Sequence, residues 1–302
     1  MNIVWLSLLG CSEKIENAEE ERAWVSAPLA ELSSGECPDM SVSGEATSFL
    51  SSGETRTVTT VFPSNPQPGM GIIYWFHGFV DTSITNLSAE TADSMMFQSL
   101  ADQENAVIIV PEATIWDLSF FQVYMWNVED GTYEHDVTLF DDLRTCVSQS
   151  FDVNLDKLTV GGWSAGALFT TVLMSHRSDT LAAVAQLSGG ADLDIEILGL
   201  FEEPLSVYET PSHTMPILLG SGQEEDIWPQ GMGWVNFYEA TTYLEEKVRE
   251  DGHFVVRCLH SNDHWGTPYG MYNSALSWLT DHTYGEESPF KGDTSTLASC
   301  EE

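Results

Sequence analysis

The stretch L-T-V-G-G-W-S-A-G-A-L-F-T-T, residues 158–171, decides how this chain folds. It begins as an apolar run typical of a buried strand, passes through glycines and Ser164, and continues with a helical composition. Its central pattern G-W-S-A-G, residues 162–166, predicts a sharp strand-to-helix turn with a strained serine, where bulky neighbours would collide with strand or helix. Such a turn exposes the Ser164 hydroxyl and leaves the Ala165 amide at a helix N-terminus, where an oxyanion is favoured.

The rest of the chain alternates strand and helix signals. Residues 55–63 alternate polar and apolar side chains like a half-exposed strand, and continuous apolar runs predict doubly buried strands at 71–77, 106–111, 157–162, 182–190, 216–221 and 254–259. Helical patterns lie at about 90–103, 137–150, 165–177, 235–250 and 271–282. The alternation predicts an α/β fold with a mostly parallel central sheet and helices on both faces.

A serine hydroxyl needs a base to become a nucleophile, and in this topology the histidine follows the serine in the chain. His264 is the predicted base, because it follows the apolar run 254–259 and so lies at the sheet edge where Ser164 lies. His260 is the alternative, although its place nearer the strand favours a packed residue. His176 lies about three helical turns beyond Ser164 and should point away.

The third group required is a carboxylate between the serine and the histidine. Three acidic residues follow the strand 216–221, in the segment G-Q-E-E-D-I-W-P. Asp226 is the predicted acid, Glu225 has equal standing by spacing, and Glu224 is less favoured.

The loop after residues 71–77 should supply a second oxyanion donor, the amide of Phe79 or of Gly78, with His77 in a structural role. The segment 115–127 is dense in aromatic residues. The side chains predicted to wall a substrate pocket are Trp116, Phe121, Tyr124, Trp126, Trp163 and Trp265. Alternatively, several of them form core under a long loop.

Composition limits the partners and the compartment. Ten Lys and Arg stand against 47 Asp and Glu, a formal charge of −37, which excludes nucleic acid and anionic membrane surfaces as partners and suits a solvated surface in salty water. Residues 1–11 resemble a lipoprotein signal that ends at Cys11, although the basic residues usual at the start of a signal are missing. Residues 12–44 would form an acidic tether and N-terminal extension, and residues 45–302 a single domain. Lipid at Cys11 would anchor a secreted or periplasmic, outer-surface bacterial protein.

The other four cysteines allow two disulfides in three pairings, or four free thiols in a cytosolic protein. No pair has the C-x-x-C spacing, and no Cys/His cluster is close in sequence, so the cysteines indicate no structural zinc site.

Several motifs together resemble the α/β-hydrolase superfamily, and within it the secreted polyhydroxybutyrate depolymerase and feruloyl esterase group. They are the H-G turn at 77–78, the segment 104–113, the helix start at 136–137, the segment 154–190 and the D-H-W at 263–265. The resemblance implies a Ser, Asp, His triad that hydrolyses carboxylic esters without metal or cofactor. Three departures, at Ser221, at residues 261–263 and in the F-H-G-F turn, weaken the resemblance to enzymes that act on polyesters in particular.

The expected function is a serine carboxylic ester hydrolase acting on a neutral, partly aromatic or hydroxyacyl ester, small or polymeric, through an acyl-enzyme. Two alternatives stay open: a serine peptidase or amidase on the same fold, and a cell-surface binding protein without catalysis. The natural ester and the oligomeric state do not follow from the sequence.

Overall fold

The computed structural model describes residues 26–117, 122–193, 203–229 and 235–302. In this part of the chain the strands are β1 Ala46–Ser51, β2 Glu54–Val61, β3 Met70–Phe76, β4 Val80–Asp81, β5 Ala106–Pro111, β6 Thr114–Asp117, β7 Gln122–Met125, β8 Val153–Trp163, β9 Ala183–Leu187, β10 Ile217–Gly222, β11 Ile227–Trp228, β12 Val235–Asn236, β13 Val255–His260 and β14 Cys300–Glu301. The helices are α1 Leu87–Ser94, α2 Phe97–Glu104, α3 Glu134–Ser150, α4 Ala165–Arg177, α5 Phe237–Glu250 and α6 Tyr269–Thr280, with short 3₁₀ helices at Ser178–Thr180 and His264–Gly266.

The central sheet has the strand order β1-β2-β5-β3-β8-β9-β10-β13-β14. The six strands from β5 to β13 run parallel, and β1, β2 and β14 pair antiparallel at the edges. The carboxyl ends of β3, β8, β9, β10 and β13 therefore share one sheet edge, where the loops that follow them meet.

The parallel strands are buried on both faces, as their continuous apolar runs predict. In β3, Ile72 and Tyr74 enter one core with α3, α4 and α5, whereas Ile73 and Trp75 enter a second core with α2 and α6. Side chains alternate across a strand, so each run must be apolar at every position to serve two cores. The predicted α/β-hydrolase architecture, with helices on both faces, is confirmed.

The predictions differ from the structure in detail. The helix expected over 90–103 is two helices, α1 and α2, separated at Met95–Met96, where Met96 adopts a φ of 55°. The aromatic segment expected as a long loop forms a hairpin, β6 and β7, which pairs with β4 in a separate three-stranded sheet. The edge strand β1 was not predicted. None of the helices among the described residues has the length and apolarity needed to cross a membrane.

The described part of the predicted N-terminal extension, residues 26–44, is fixed to α3. Asp142 accepts a hydrogen bond from the Ser33 amide at 2.9 Å, and Arg144 donates to the carbonyl of Pro28 at 3.0 Å. Cys37 is bonded to Cys146 on α3. The rest of the extension, and the predicted signal with Cys11, lie outside the described residues.

The second disulfide joins Cys258 of β13 to Cys300 of β14. It fastens the last strand to the edge of the sheet, next to the strand that leads into the loop of His264. The prediction of two disulfides among four cysteines is confirmed, and the structure selects the pairing that the sequence left open.

Candidate active site

Ser164 lies on the corner between β8 and α4, with a φ of 55° and a ψ of −124°. A non-glycine residue at positive φ is strained, and such strain persists only where the surroundings hold it. A Cβ on Gly166 would lie 2.1 Å from the carbonyl oxygen of Phe76, and one on Gly162 would lie 2.6 Å from the Gly166 carbonyl carbon. Both glycines are therefore required by the close approach of α4 to β8 and β3.

The structure brings Ser164, His264 and Asp226 together. The Oγ of Ser164 lies 2.9 Å from Nε2 of His264, and Nδ1 of His264 lies 2.8 Å from Oδ1 of Asp226. A carboxylate accepts hydrogen bonds, so Nδ1 carries the imidazole hydrogen and Nε2 accepts from the serine hydroxyl. This order leaves Nε2 as the base toward Ser164.

Asp226, and not Glu225, faces the imidazole. Asp226 is fully buried and Glu225 is exposed. Its second oxygen, Oδ2, accepts hydrogen bonds from the Gly222 amide and the Ser188 hydroxyl, both at 2.8 Å. These donors, which the sequence analysis missed, satisfy a buried carboxylate that would otherwise be costly.

The imidazole of His264 lies between two aromatic rings. The ring centroid of Phe237, the first residue of α5, lies 4.3 Å from that of the imidazole, with an interplanar angle of 11°. The ring centroid of Trp163 lies 4.9 Å away, with an angle of 24°. His264 is 1% exposed. The rings fix the plane of the imidazole, so its two nitrogens stay directed at Ser164 and Asp226.

Ser164 is recessed, with 6% of its surface exposed, and the expectation of an exposed hydroxyl was wrong in degree. The loop after β3 passes close to it: a Cβ on Gly78 would lie 3.2 Å from the Cβ of Ser164 and 2.6 Å from the ring of Trp163. Gly78 thus makes room for Trp163, and the next residue in this loop is Phe79. The first amides of α4, beginning with Ala165, have no acceptor within the helix.

The predicted aromatic wall is corrected in part. Trp126 is fully buried, stacks on Phe169 at 5.1 Å and donates from Nε1 to the carbonyl of His77 at 2.9 Å. It lies directly after β7 and is core beneath the site, where it packs against Phe76 and Phe169 and does not face a substrate. Tyr124 is also buried, Phe121 lies outside the described residues, and Trp116 is half-buried.

Two predicted tryptophans do lie at the site, and the structure adds a third. Trp265 is 62% exposed and packs against Trp163, with 5.4 Å between the two ring centroids. In the loop after β3 the ring of Phe79 lies 5.2 Å, between centroids, from that of Trp228, a residue that the sequence analysis passed over. A Trp two residues after the acid in the segment G-Q-E-E-D-I-W-P was the signal that could have found it.

The other histidines have structural environments. His77 is buried, its Nε2 accepts from the Ala113 amide at 3.0 Å, and burial lowers its pKa to about 4. His260 accepts from the Asn262 amide, and burial again lowers its pKa. His176 stacks on Tyr133 at 4.4 Å.

A second serine–histidine pair lies elsewhere in the molecule and provides a contrast. The Oγ of Ser288 lies 2.8 Å from Nε2 of His282, but Nδ1 of His282 faces the backbone carbonyl of Trp278 at 2.7 Å. Burial lowers the pKa of His282 to about 4. The partner of Nδ1 is therefore a backbone carbonyl in His282 and the carboxylate of Asp226 in His264.

The described residues contain no group of three His, Cys, Asp or Glu side chains placed to bind a metal ion. The chemistry that the site offers on its own is acyl transfer: a nucleophile, a base, an acid that orients the base, and amides beside the nucleophile.

No family model and no curated protein matches the chain. Solved structures match it over most of its length. Native pOPH is 17% identical with a TM-score of 0.66, and the match covers 88% of this chain and 96% of that one. A ferulic acid esterase is 14% identical with a TM-score of 0.55, covering 78% and 96% of the two chains. FphF, a fluorophosphonate-binding serine hydrolase of Staphylococcus aureus, is 13% identical with a TM-score of 0.53, covering 78% and 97%.

One of these neighbours, the ferulic acid esterase, is named for an activity of the group that the sequence motifs resemble. At identities of this size a structural match establishes the fold. Together with the strand order and the two-faced core, the comparisons show that this chain has the α/β-hydrolase fold.

Proposed function

We propose that the protein is a serine carboxylic ester hydrolase in which Ser164 is the nucleophile, His264 the base and Asp226 the acid that orients it. The observation that carries the proposal is the unbroken series of contacts from Asp226 through His264 to Ser164, at 2.8 Å and 2.9 Å, on a strained turn at a helix N-terminus. Each contact has the length of a good hydrogen bond, so no rearrangement is needed before proton transfer.

In the first step the Ser164 oxygen bonds to the ester carbonyl carbon and its proton passes to Nε2 of His264. The carbonyl oxygen becomes an oxyanion, which the amides of Ala165 and Phe79 bind, and Asp226 stabilises the imidazolium. The C–O bond to the alcohol then breaks, and the alcohol leaves with the proton from His264. Water, deprotonated by His264, attacks the acyl-enzyme and releases the acid, which regenerates Ser164.

We further propose a neutral ester with an aromatic or hydroxyacyl group as the substrate, small or polymeric. The half-buried Trp163 lies beside Gly78 and contacts the exposed Trp265, and the residue after Gly78, Phe79, contacts Trp228. Aromatic side chains of this kind form the walls of sites for apolar ligands. The charge of −37 disfavours an anionic substrate at long range.

We also propose an exported protein. Two disulfides fasten the N-terminal segment and the last strand, and such bonds persist in oxidising compartments. Anchoring through lipid on Cys11 remains part of this proposal.

Fluorophosphonate labelling tests the nucleophile, followed by mapping of the labelled peptide. We expect label on Ser164, none on Ser288, and loss of labelling in Ser164→Ala but not in Ser288→Ala. The two serines have nearly equal distances to a histidine, so the comparison isolates the effect of Asp226 and the turn. Label on Ser288, or an unlabelled wild type, would overturn the assignment.

A substrate panel then tests the reaction. We expect turnover of feruloyl, short-chain acyl or hydroxybutyrate esters by the wild type, and loss of about 10³-fold or more in Ser164→Ala. Hydrolysis of an aminoacyl anilide without hydrolysis of any ester would instead assign the protein as an amidase or peptidase.

A further inference from the structure

Ser188 lies immediately after β9 and reaches the acid of the proposed triad. Its hydroxyl donates to Oδ2 of Asp226 at 2.8 Å, while Oδ1 of the same carboxylate receives His264. We propose that Ser188 is a positioning residue for the reaction, which holds the Asp226 carboxylate with Oδ1 directed at the imidazole. This inference rests on the proposed esterase function and adds a fourth side chain to it.

The carboxylate of Asp226 is fully buried, so its orientation depends on protein donors. Oδ2 has two of them, the Ser188 hydroxyl and the Gly222 amide at 2.8 Å. Rotation about the last side-chain bond of an aspartate is soft, and two donors on one oxygen restrict it more than one does. Without the hydroxyl, Gly222 alone would hold Oδ2, and the direction of Oδ1 toward His264 would loosen.

The backbone of Ser188 supports a role for its side chain. Its φ is 50°, in the left-handed region where glycine is favoured and serine is strained. The chain has glycine at the two following positions, yet serine stands at 188. Strain held at such a residue is typical of functional sites, and here the side chain that glycine would lack is the one that contacts Asp226.

The turn that carries Ser188 is held by three hydrogen bonds to neighbouring elements and by one to β9, the strand that leads into it. The Ser188 amide donates to the carbonyl of Gly220 at 2.7 Å, at the end of β10. Thr241 of α5 donates to the Gly189 carbonyl at 3.1 Å, and Thr171 of α4 donates to that of Gly190 at 2.8 Å. The amide of Gly190 donates to Gln186 at 3.1 Å. Because β10, α4 and α5 all hold this turn, the hydroxyl has a fixed position relative to Asp226.

Two substitutions separate the hydroxyl from the backbone. Ser188→Ala removes the hydroxyl and keeps the strain, whereas Ser188→Gly removes both. We expect both variants to lower kcat by about 10-fold with KM within about 2-fold of the wild type, and the rate of fluorophosphonate labelling at Ser164 to fall in parallel. The glycine variant should be at least as stable as the alanine variant, because it relieves the positive φ.

A double-mutant cycle with Asp226→Asn identifies the route of the effect. If Ser188 acts through the carboxylate, Ser188→Ala should change labelling of Ser164 by less than about 2-fold in the Asp226→Asn background. Ser178→Ala is the matched control: it removes a buried serine hydroxyl that bonds to Ser212 at the far end of α4, and kcat should be unchanged.

A wild-type kcat in Ser188→Ala, or an equal loss with and without the Asp226 carboxylate, would overturn the role of Ser188. A wild type that neither takes label at Ser164 nor turns over an ester would instead overturn the proposed function. The two failures are therefore distinguishable.

Discussion

The packing of Gly166 against β3 gives the sharpest test of the turn that carries Ser164. A Cβ at this position would lie 2.1 Å from the carbonyl oxygen of Phe76 and 2.5 Å from that of His77, far inside the 3.4 Å at which ordinary contact begins. Both neighbours are backbone atoms of a central strand and its loop, so no side-chain rotation relieves the overlap. Gly166→Ala should therefore cost about 3 kcal/mol or more of unfolding free energy, at the upper end for overpacked cores.

Gly270 is the matched control, because each glycine is the second residue of its helix. A Cβ on Gly270 would meet the Ala298 side chain at 3.4 Å, which is an ordinary contact. Gly270→Ala should be neutral or stabilise the protein by about 0.5 kcal/mol, because alanine is the better helix former. Changes of opposite sign in the free energy of unfolding at these two equivalent helix positions would isolate the effect of contact with β3.

The measurement is urea unfolding followed by tryptophan fluorescence, together with ester turnover well below the melting temperature. Gly166→Ala should lower that temperature by about 5–10 °C. Its kcat should also fall, because relief of the overlap displaces the Phe76 and His77 carbonyls and with them the loop of Phe79. A loss under about 1 kcal/mol with full turnover would show that the turn adapts, and would refute the reasoning that the close approach of α4 and β3 fixes Ser164.

Three further outcomes follow from the same structure. Burial lowers the pKa of His77 and His282 to about 4 in the folded protein, whereas an unfolded histidine has a pKa of about 6.5. Between these two values the unfolded chain binds protons at the two positions and the folded protein does not. The contribution of these histidines to the free energy of unfolding should be fully present above about pH 6.5 and be lost as the pH drops toward 4. Thermal unfolding between about pH 7.5 and about pH 5 measures this loss. His282→Asn should flatten the pH dependence, and an unchanged slope would contradict it. Salt should screen the repulsion within the charge of −37, so the melting temperature should rise as NaCl increases from about 0.05 M to about 1 M. Sucrose at low salt stabilises without screening charge, and a rise no larger than sucrose produces would argue against self-repulsion. Phe237→Ala should lower kcat by about 10-fold, because it removes the ring that stacks on one face of the His264 imidazole. The control Phe254→Ala removes a ring stacked on Trp278 and should leave kcat unchanged. Equal losses in the two variants would assign the effect to a general loss of packing.

The fold could be predicted from the sequence because a parallel sheet buried on both faces imposes a simple pattern. Runs such as residues 72–76 and 106–111 are apolar at every position, which neither an amphipathic helix nor a half-exposed strand requires. The meeting of Ser164 with His264 followed from topology alone, since the loops after parallel strands share one edge. The small β4-β7-β6 sheet carries no such pattern, and the sequence analysis assigned no strand to it.

Side-chain direction within a loop could not be predicted. Glu225 and Asp226 have equal reach by spacing, and the choice depends on the donors of Ser188 and Gly222, which converge on one oxygen from the turn after β9 and from the last residue of β10. Trp126 illustrates the same difficulty. An aromatic residue in the segment 115–127 suits a pocket wall and a core equally, and the contacts of Trp126 with Phe76 and Phe169, which are distant in the chain, make it core.

Ser188 shows why a positioning residue is harder to predict than a nucleophile. The G-x-S-x-G pattern identifies Ser164 because glycines on both sides reveal the close approach of backbone to backbone. The segment A-A-V-A-Q-L-S-G-G, residues 182–190, reads instead as a strand ending in small residues. The left-handed backbone of its serine is held by β10, α4 and α5, and the partner of its hydroxyl is Asp226; all of them lie outside this segment. A residue that acts through a second residue is defined by contacts between distant segments, and a local pattern contains none of them.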